Sequence, residues 1–212
     1  MEWGIKLSKP VERWLEQLDN DGLLRMCAAL DLLSEQGPRI GKPLVHRTDD
    51  PVEGREMRLA ARRGRELRVR FTVDADGYAV LLRDLRPDRP RPGRHARTCP
   101  ASDAPDAAGE PSTFVEWSGL RPLFDLDESR VLRYQARLRS ELSGERLAGL
   151  RKGRLLTRRD LALAMGVRTS KVDRIEAGEL ERASLGLLRA YVRSLGGDIE
   201  LAATFSDRRI LL

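Results

Sequence analysis

Leu155–Gly178 reads LLTRRDLALAMGVRTSKVDRIEAG, and its spacing decides the architecture of the part of the chain around it. Thr157 is an N-cap, and Asp160 three residues on makes an approximate capping box, because each side chain can satisfy the other's backbone N–H. Leu161, Ala162 and Met165 fall on one face of the short helix that follows. Gly166 ends that helix where a left-handed residue is needed. Val167 fills the corner, Thr169 or Ser170 caps a second helix, and Val172 and Ile175 turn inward. Ser170, Lys171, Asp173 and Arg174 are left facing outward, and Gly178 closes the helix. A helix of about eight residues, a turn and a second helix, with small residues at the crossing, is the helix-turn-helix geometry. Its second helix can enter the DNA major groove N-terminus first while the first lies across the backbone.

Outward from this motif, Ser129–Lys152 carries Val131, Leu132, Tyr134, Leu138, Leu142, Leu147 and Leu150. Gly144 and Gly149 interrupt the pattern, so a long helix with a break or bend near 143–145 is expected. Downstream, Ser184 caps a last helix, and Ile199–Phe205 and Arg209–Leu212 are expected as a β-hairpin around Ser206-Asp207-Arg208. The motif resembles the Xre/Cro-type helix-turn-helix domain, and residues 123–212 together resemble a HigA-like antitoxin. The resemblance implies a homodimer on double-stranded operator DNA and assigns roles. Arg158, where the family often has Gln, would hold a phosphate. Thr169, Ser170, Lys171, Asp173 and Arg174 would form the recognition set, with Lys171 and Arg174 reaching guanine or phosphate. Thr169 stands where Gln is frequent and Asp173 where Ser is frequent. Asp173 would repel phosphate but can accept from a cytosine amine. The plainer alternative is a helical domain kept only for protein contacts.

Charge points to the same region. Residues 1–82 hold 14 Lys+Arg and 14 Asp+Glu, residues 83–124 hold 7 and 6, and residues 125–212 hold 18 and 13. The net charge of +6 thus sits almost wholly in the last part, where a nucleic-acid partner is sought first. Residues 83–124 contain seven of the eleven prolines and no period of 2 or 3.6. They are expected to be a linker, disordered up to about Glu110, with Phe114, Val115 and Trp117 docking on one of the domains.

Before the linker the pattern is different. Residues 2–8 suit a short strand. Pro10 opens a helix with Val11, Trp14, Leu15 and Leu18 at helical spacing. Asp19–Gly22 breaks the chain, and a second helix with Leu23, Met26, Cys27, Leu30 and Leu33 on one face runs to Gly37-Pro38. From about Arg55 the period becomes 2. Leu67, Val69, Phe71 and Val73 point one way, and Glu66, Arg68, Arg70 and Thr72 the other. Asp74–Gly77 is a hairpin turn and Tyr78–Leu82 the returning strand. A helical hairpin on a small antiparallel sheet, with a basic outer face, is the expected α+β domain. The following domain is expected to be mainly α, with a terminal β-hairpin. The boundaries are then 1–82, 83–124 and 125–212.

Residues 3–82 resemble the RelE/HigB-like toxins, ribosome-dependent mRNA endonucleases of type II toxin–antitoxin modules. In that family the RNA 2′-hydroxyl attacks the adjacent phosphate, while basic groups stabilise the developing charge and move protons. The resemblance matches Arg58 and Arg68 to catalytic arginines, and Arg70 shares their face by alternation. After the last strand the family continues into a Gly-Asp-Lys segment and an aromatic-bearing helix, whereas this chain reads Arg83-Asp84-Leu85-Arg86-Pro87. An impaired toxin is therefore expected, with His46 in a loop rather than acting as a base.

Composition excludes several classes. Cys27 and Cys99 share no motif, and with only His46 and His95 as histidines no metal site or cofactor is expected. No apolar run suits a membrane span, and Met1-Glu2-Trp3-Gly4 does not open a signal peptide, so a cytoplasmic protein is expected. The combined expectation is a toxin-like domain joined to and neutralised by an antitoxin-like, DNA-binding autoregulator, the contact being in cis or between chains. The alternative is an active ribosome-dependent mRNA endoribonuclease inhibited in cis. A third possibility is a decayed fusion whose first domain only docks.

Overall fold

The computed structural model describes residues 3–37, 40–48, 54–60, 66–82, 96–98, 114–206 and 208–212. Among them are seven helices, and the chain divides into two compact units, Met1–Leu138 and Arg139–Leu212. His95, Cys99 and most of the proline-rich stretch lie outside the described residues.

The first unit is mixed α/β. It begins with β1 (Ile5–Leu7), α1 (Lys9–Glu16) and α2 (Asn20–Gln36). β2 (Val45–Arg47), β3 (Arg55–Ala60), β4 (Glu66–Val73) and β5 (Ala79–Leu82) follow, with β6 at Ala96–Thr98 and β7 at Val115–Glu116. The strand order is β2-β3-β4-β5-β1-β7, and β6 joins β4. The sheet is mixed rather than purely antiparallel, because β1 runs parallel to β5 and β6 parallel to β4. The α1–α2 pair carries the chain across the sheet to β2 at the opposite edge, so β1 enters beside the last strand of the meander. β6 has an equally simple cause. β5 pairs only with Arg70–Val73 of β4, and on that side the backbone of Glu66–Arg68 is open until β6 takes it. A short strand thus lies within the stretch expected to be a linker.

α2 starts earlier than the chain break at Asp19–Gly22 suggested. Asp19 is its N-cap, accepting from the Gly22 N–H (2.8 Å), and Gly22 lies inside the first turn. Of the expected stripe, Met26, Cys27, Leu30 and Leu33 are buried and Leu23 is half-buried, and a second stripe, Leu24 and Ala28, is buried as well. That second stripe packs against Val131, with Leu126, Tyr134 and Leu138 around it. α2 is therefore apolar on two sides because it is covered on two sides. The covering segment is β7, α3 (Trp117–Leu120), a 3₁₀ turn at Arg121–Leu123 and the start of α4 (Glu128–Gly153). Trp117 is buried on this unit, while Phe114 stays 38% exposed. The Trp117 indole N–H (2.9 Å), Arg121 Nε (3.2 Å) and Gln135 Nε2 (3.2 Å) all donate to the Asp31 carboxylate of α2.

The second unit contains the rest of α4, then α5 (Arg158–Ala164), α6 (Thr169–Glu176) and α7 (Leu185–Ser194). β8 (Ala202–Thr204) and β9 (Arg209–Leu211) form the terminal hairpin, and Asp207 of its turn lies outside the described residues. The core is Leu161, Ala162, Val172, Ile175, Tyr191 and Leu195. α4 runs without the break expected at Gly144. A Cβ there would lie 2.7 Å from the Glu176 carbonyl oxygen and from the Gly178 nitrogen, so the glycine permits a close crossing instead. Gly178 mirrors it, with φ +87° and a virtual Cβ 2.7 Å from the Glu141 backbone. The helical cost of one internal glycine, about 1 kcal/mol, is offset by that contact.

Candidate nucleic-acid interface

The helix-turn-helix is built by local backbone chemistry. Thr157 Oγ1 accepts from the Asp160 N–H (3.1 Å) and Asp160 Oδ2 accepts from the Thr157 N–H (2.9 Å), a complete capping box for α5. Gly166 takes φ +65° at the turn. The N-cap of α6 is Arg168, without a side-chain cap bond, so neither Thr169 nor Ser170 caps the helix. Both instead open its first turn and face solvent.

Thr169, Ser170, Lys171, Asp173 and Arg174 are all exposed on α6, whose other side buries Val172, Ile175 and Glu176. The structure therefore brings the recognition candidates together on one element. Their electrostatic states differ. Lys171 has no ion-pair partner among the described residues. Arg174 Nε sits 2.7 Å from Glu179 Oε2 on the surface. Asp173 Oδ1 is 3.3 Å from Arg158 Nε, so the carboxylate is neutralised from α5.

Arg158 also donates to Glu176 Oε2 (2.8 Å), which belongs to a buried hub. Arg151 binds the same carboxylate through two nitrogens (2.6 and 2.9 Å), and the Tyr191 hydroxyl donates to it at 3.0 Å. Burial disfavours the charged form, but the hydrogen bonds from Arg151, Arg158 and Tyr191 outweigh it and hold Glu176 down to about 2. The Tyr191 hydroxyl is pushed up by its burial and by its bond to that carboxylate. Glu176, Arg151 and Tyr191 escaped the sequence reading. The signal was present: Val172, Ile175 and Glu176 fall at i, i+3 and i+4, which places a glutamate on the buried stripe.

The second charged surface is on the sheet of the first unit. Glu56 pairs in register with Arg70, and Arg58 with Arg68, so all four share one face. Arg58 Nε donates to Glu56, and Arg68 donates to Glu66 Oε2 through Nε (2.8 Å) and Nη2 (2.6 Å). Arg58 and Arg68 are each bridged to the glutamate two positions earlier, its neighbour on the same side of the strand. His46 is not in a loop. It lies in β2, opposite Glu56, and donates from Nε2 to the Pro43 carbonyl oxygen (2.9 Å). Among the described residues no cluster of three or more metal-ligating side chains occurs, and no helix is long and apolar enough to cross a membrane.

No family model matches the chain. A Mycobacterium tuberculosis protein named antitoxin HigA2 is 32% identical over 100 residues, which span 47% of this chain and 96% of that protein. A second protein of the same organism, named toxin HigB3, is 35% identical over 80 residues, 37% of this chain and 68% of that protein. The chain belongs to the HigA antitoxin and HigB toxin families. A solved structure described as DNA-bound antitoxin HigA3 shares 36% identity, covering 31% of this chain and 85% of that one, with a TM-score of 0.28.

Proposed function

We propose that this chain is a sequence-specific DNA-binding autoregulator of a type II toxin–antitoxin module, acting in the cytoplasm, in which an antitoxin-like unit is joined to and neutralises a toxin-like unit. The observation that carries this reading is α6: five polar residues, Thr169, Ser170, Lys171, Asp173 and Arg174, exposed on a helix that a capped partner helix and a left-handed glycine hold proud of the core. One such helix contacts few base pairs, so a two-fold homodimer on a palindromic operator is expected. HigA-like and HigB-like sequence on one chain supports the joined arrangement. Arg58 and Arg68 are each neutralised by a strand neighbour, which supports an impaired toxin.

The test is fluorescence anisotropy of the whole chain on duplex DNA from upstream of its own gene, across a salt series and against random competitor. Tight binding that survives competitor, weakens in Lys171→Ala and Arg174→Ala, and falls steeply with salt is the expected result. Binding no tighter than to random DNA sinks the reading.

A second reading has its own support: Arg58, Arg68 and Arg70 do lie together on one sheet face. It makes the first unit a ribosome-dependent mRNA endoribonuclease inhibited in cis. Release by cleavage of the linker is part of this reading, so its expected signature is ribosome-bound mRNA cut by fragment 1–110 and left uncut by the same fragment carrying Arg58→Ala or Arg68→Ala. Intact mRNA with both the fragment and the whole chain removes it.

A further inference from the structure

Resting on the DNA-binding reading above, we propose that Arg158 is a positioning residue for base recognition rather than a phosphate contact: it fixes the Asp173 carboxylate on α6 as an acceptor for the exocyclic amine of cytosine. The geometry has a buried end and an exposed end. At the buried end, Glu176 is held by both nitrogens of the Arg151 fork and by Tyr191. Arg158 Nε is 2.8 Å from that fixed carboxylate and 3.3 Å from Asp173 Oδ1. The guanidinium is thus anchored from below by its hydrogen bond to Glu176, with its charge set against the Asp173 carboxylate above it. Both carboxylates lie against Nε, so a phosphate would meet a guanidinium whose charge is already opposed by two carboxylates.

The Asp173 side chain remains 48% exposed, so lone pairs are available outward. Its charge alone would repel the DNA backbone, and the adjacent guanidinium cancels that charge. What remains is a neutral pair presenting acceptors only. Cytosine offers a lone amine donor in the major groove, whereas adenine sets its N7 acceptor beside its amine, and thymine and guanine present acceptors. An acceptor-only group whose charge is opposed therefore favours cytosine.

The experiment is selection from a pool of duplexes randomised over their centre, using the full chain, Asp173→Ala and Arg158→Gln, each also titrated against salt. Gln keeps a donor for Glu176 but carries no charge to set against Asp173. Wild type is expected to enrich cytosine at one position of the site, and Asp173→Ala to lose about tenfold or more of that discrimination with the other positions kept. Arg158→Gln is expected to lose the same preference at the same position, with the salt slope unchanged. Uniformly weaker binding in Arg158→Gln, with a salt slope smaller by about one and cytosine still preferred, is the behaviour of a phosphate contact and overturns the inference. Retention of the preference in Asp173→Ala overturns it as well, and does so even if Arg158→Gln fails to fold. A wild-type chain that selects no sequence overturns the DNA-binding reading itself, a different result from either.

Discussion

The two charged surfaces are built from the same parts, a carboxylate and the arginines that grip it, but at different depths. In the second unit Glu176 has a side chain 1% exposed, and its Arg151 partner is 7% exposed. In the first unit Glu56 is nearly as buried, but Arg58 above it is 32% exposed. A fully buried pair is a structural anchor: it holds α4, α5 and α6 in register and leaves Lys171 and its neighbours exposed outside. A half-exposed pair on a strand is different, because there the arginines are themselves the candidate site and the glutamates compete with any ligand for them. The same residue types thus make a scaffold in one place and a self-neutralised surface in the other.

The largest effect is expected where the charge left behind cannot reach water. Glu176→Gln strands the Arg151 guanidinium in the core, and a loss of about 3–5 kcal/mol is expected by denaturant unfolding of the whole chain. A loss below about 1 kcal/mol would mean that water reaches the hub and that the depth contrast is wrong. The same carboxylate sets a pH window. Its value of about 2 lies below the ordinary 4.5, so its contribution is complete above about pH 4.5 and is lost as pH falls toward about 2. An acid melt of wild type should lose stability across that window, and Glu176→Gln should flatten the curve.

How much of this was legible depends on whether the cause is local. Thr157, Asp160, Gly166 and Ser184 act on backbone groups within a turn of themselves, so these caps and the turn could be read from the sequence, whereas α6 has Arg168 as its N-cap without a side-chain cap bond and its start was not legible. Alternation made Glu66, Arg68 and Arg70 legible as one face of β4. The Glu56–Arg58 and Glu66–Arg68 bridges were readable too, since residues two apart on a strand share a side. Contacts that close over long separations were not readable. Gly144 looks like a helix breaker until Gly178 is placed against it. Asp31 looks like a solvated position until Trp117, Arg121 and Gln135 arrive from about 86–104 residues later. Leu24 and Ala28 blur the helical stripe of α2 for the same reason: the second cover comes from α4.

Asp31 gives the next effect in size. Asp31→Ala removes the common acceptor of three donors, one of them the indole of buried Trp117. A loss of about 1–3 kcal/mol is expected, with Trp117 fluorescence shifting to the red as its cover loosens. Wild-type stability would mean that the remaining contacts of residues 114–138, among them the β7–β1 pairing and the Tyr134–Asp21 hydrogen bond, hold that segment without Asp31. Glu56→Gln is expected to cost less, about 1–2 kcal/mol, because the freed Arg58 guanidinium is exposed enough to be hydrated. A cost equal to that of Glu176→Gln would erase the distinction between the two surfaces.

The smallest effect tests the local end of the argument. Thr157→Ala removes half of the capping box, and Asp160 keeps its backbone bond to residue 157. About 1 kcal/mol is the expected loss, without change in the buried hub. Because α5 supports α6, the affinity for DNA should fall only as far as the folded population does. If Thr157→Ala instead abolished sequence preference while leaving stability within a few tenths of a kcal/mol, the cap would be serving the DNA contact directly. The separation between a scaffold that folds the motif and a surface proposed to read the bases would then fail at its most local point.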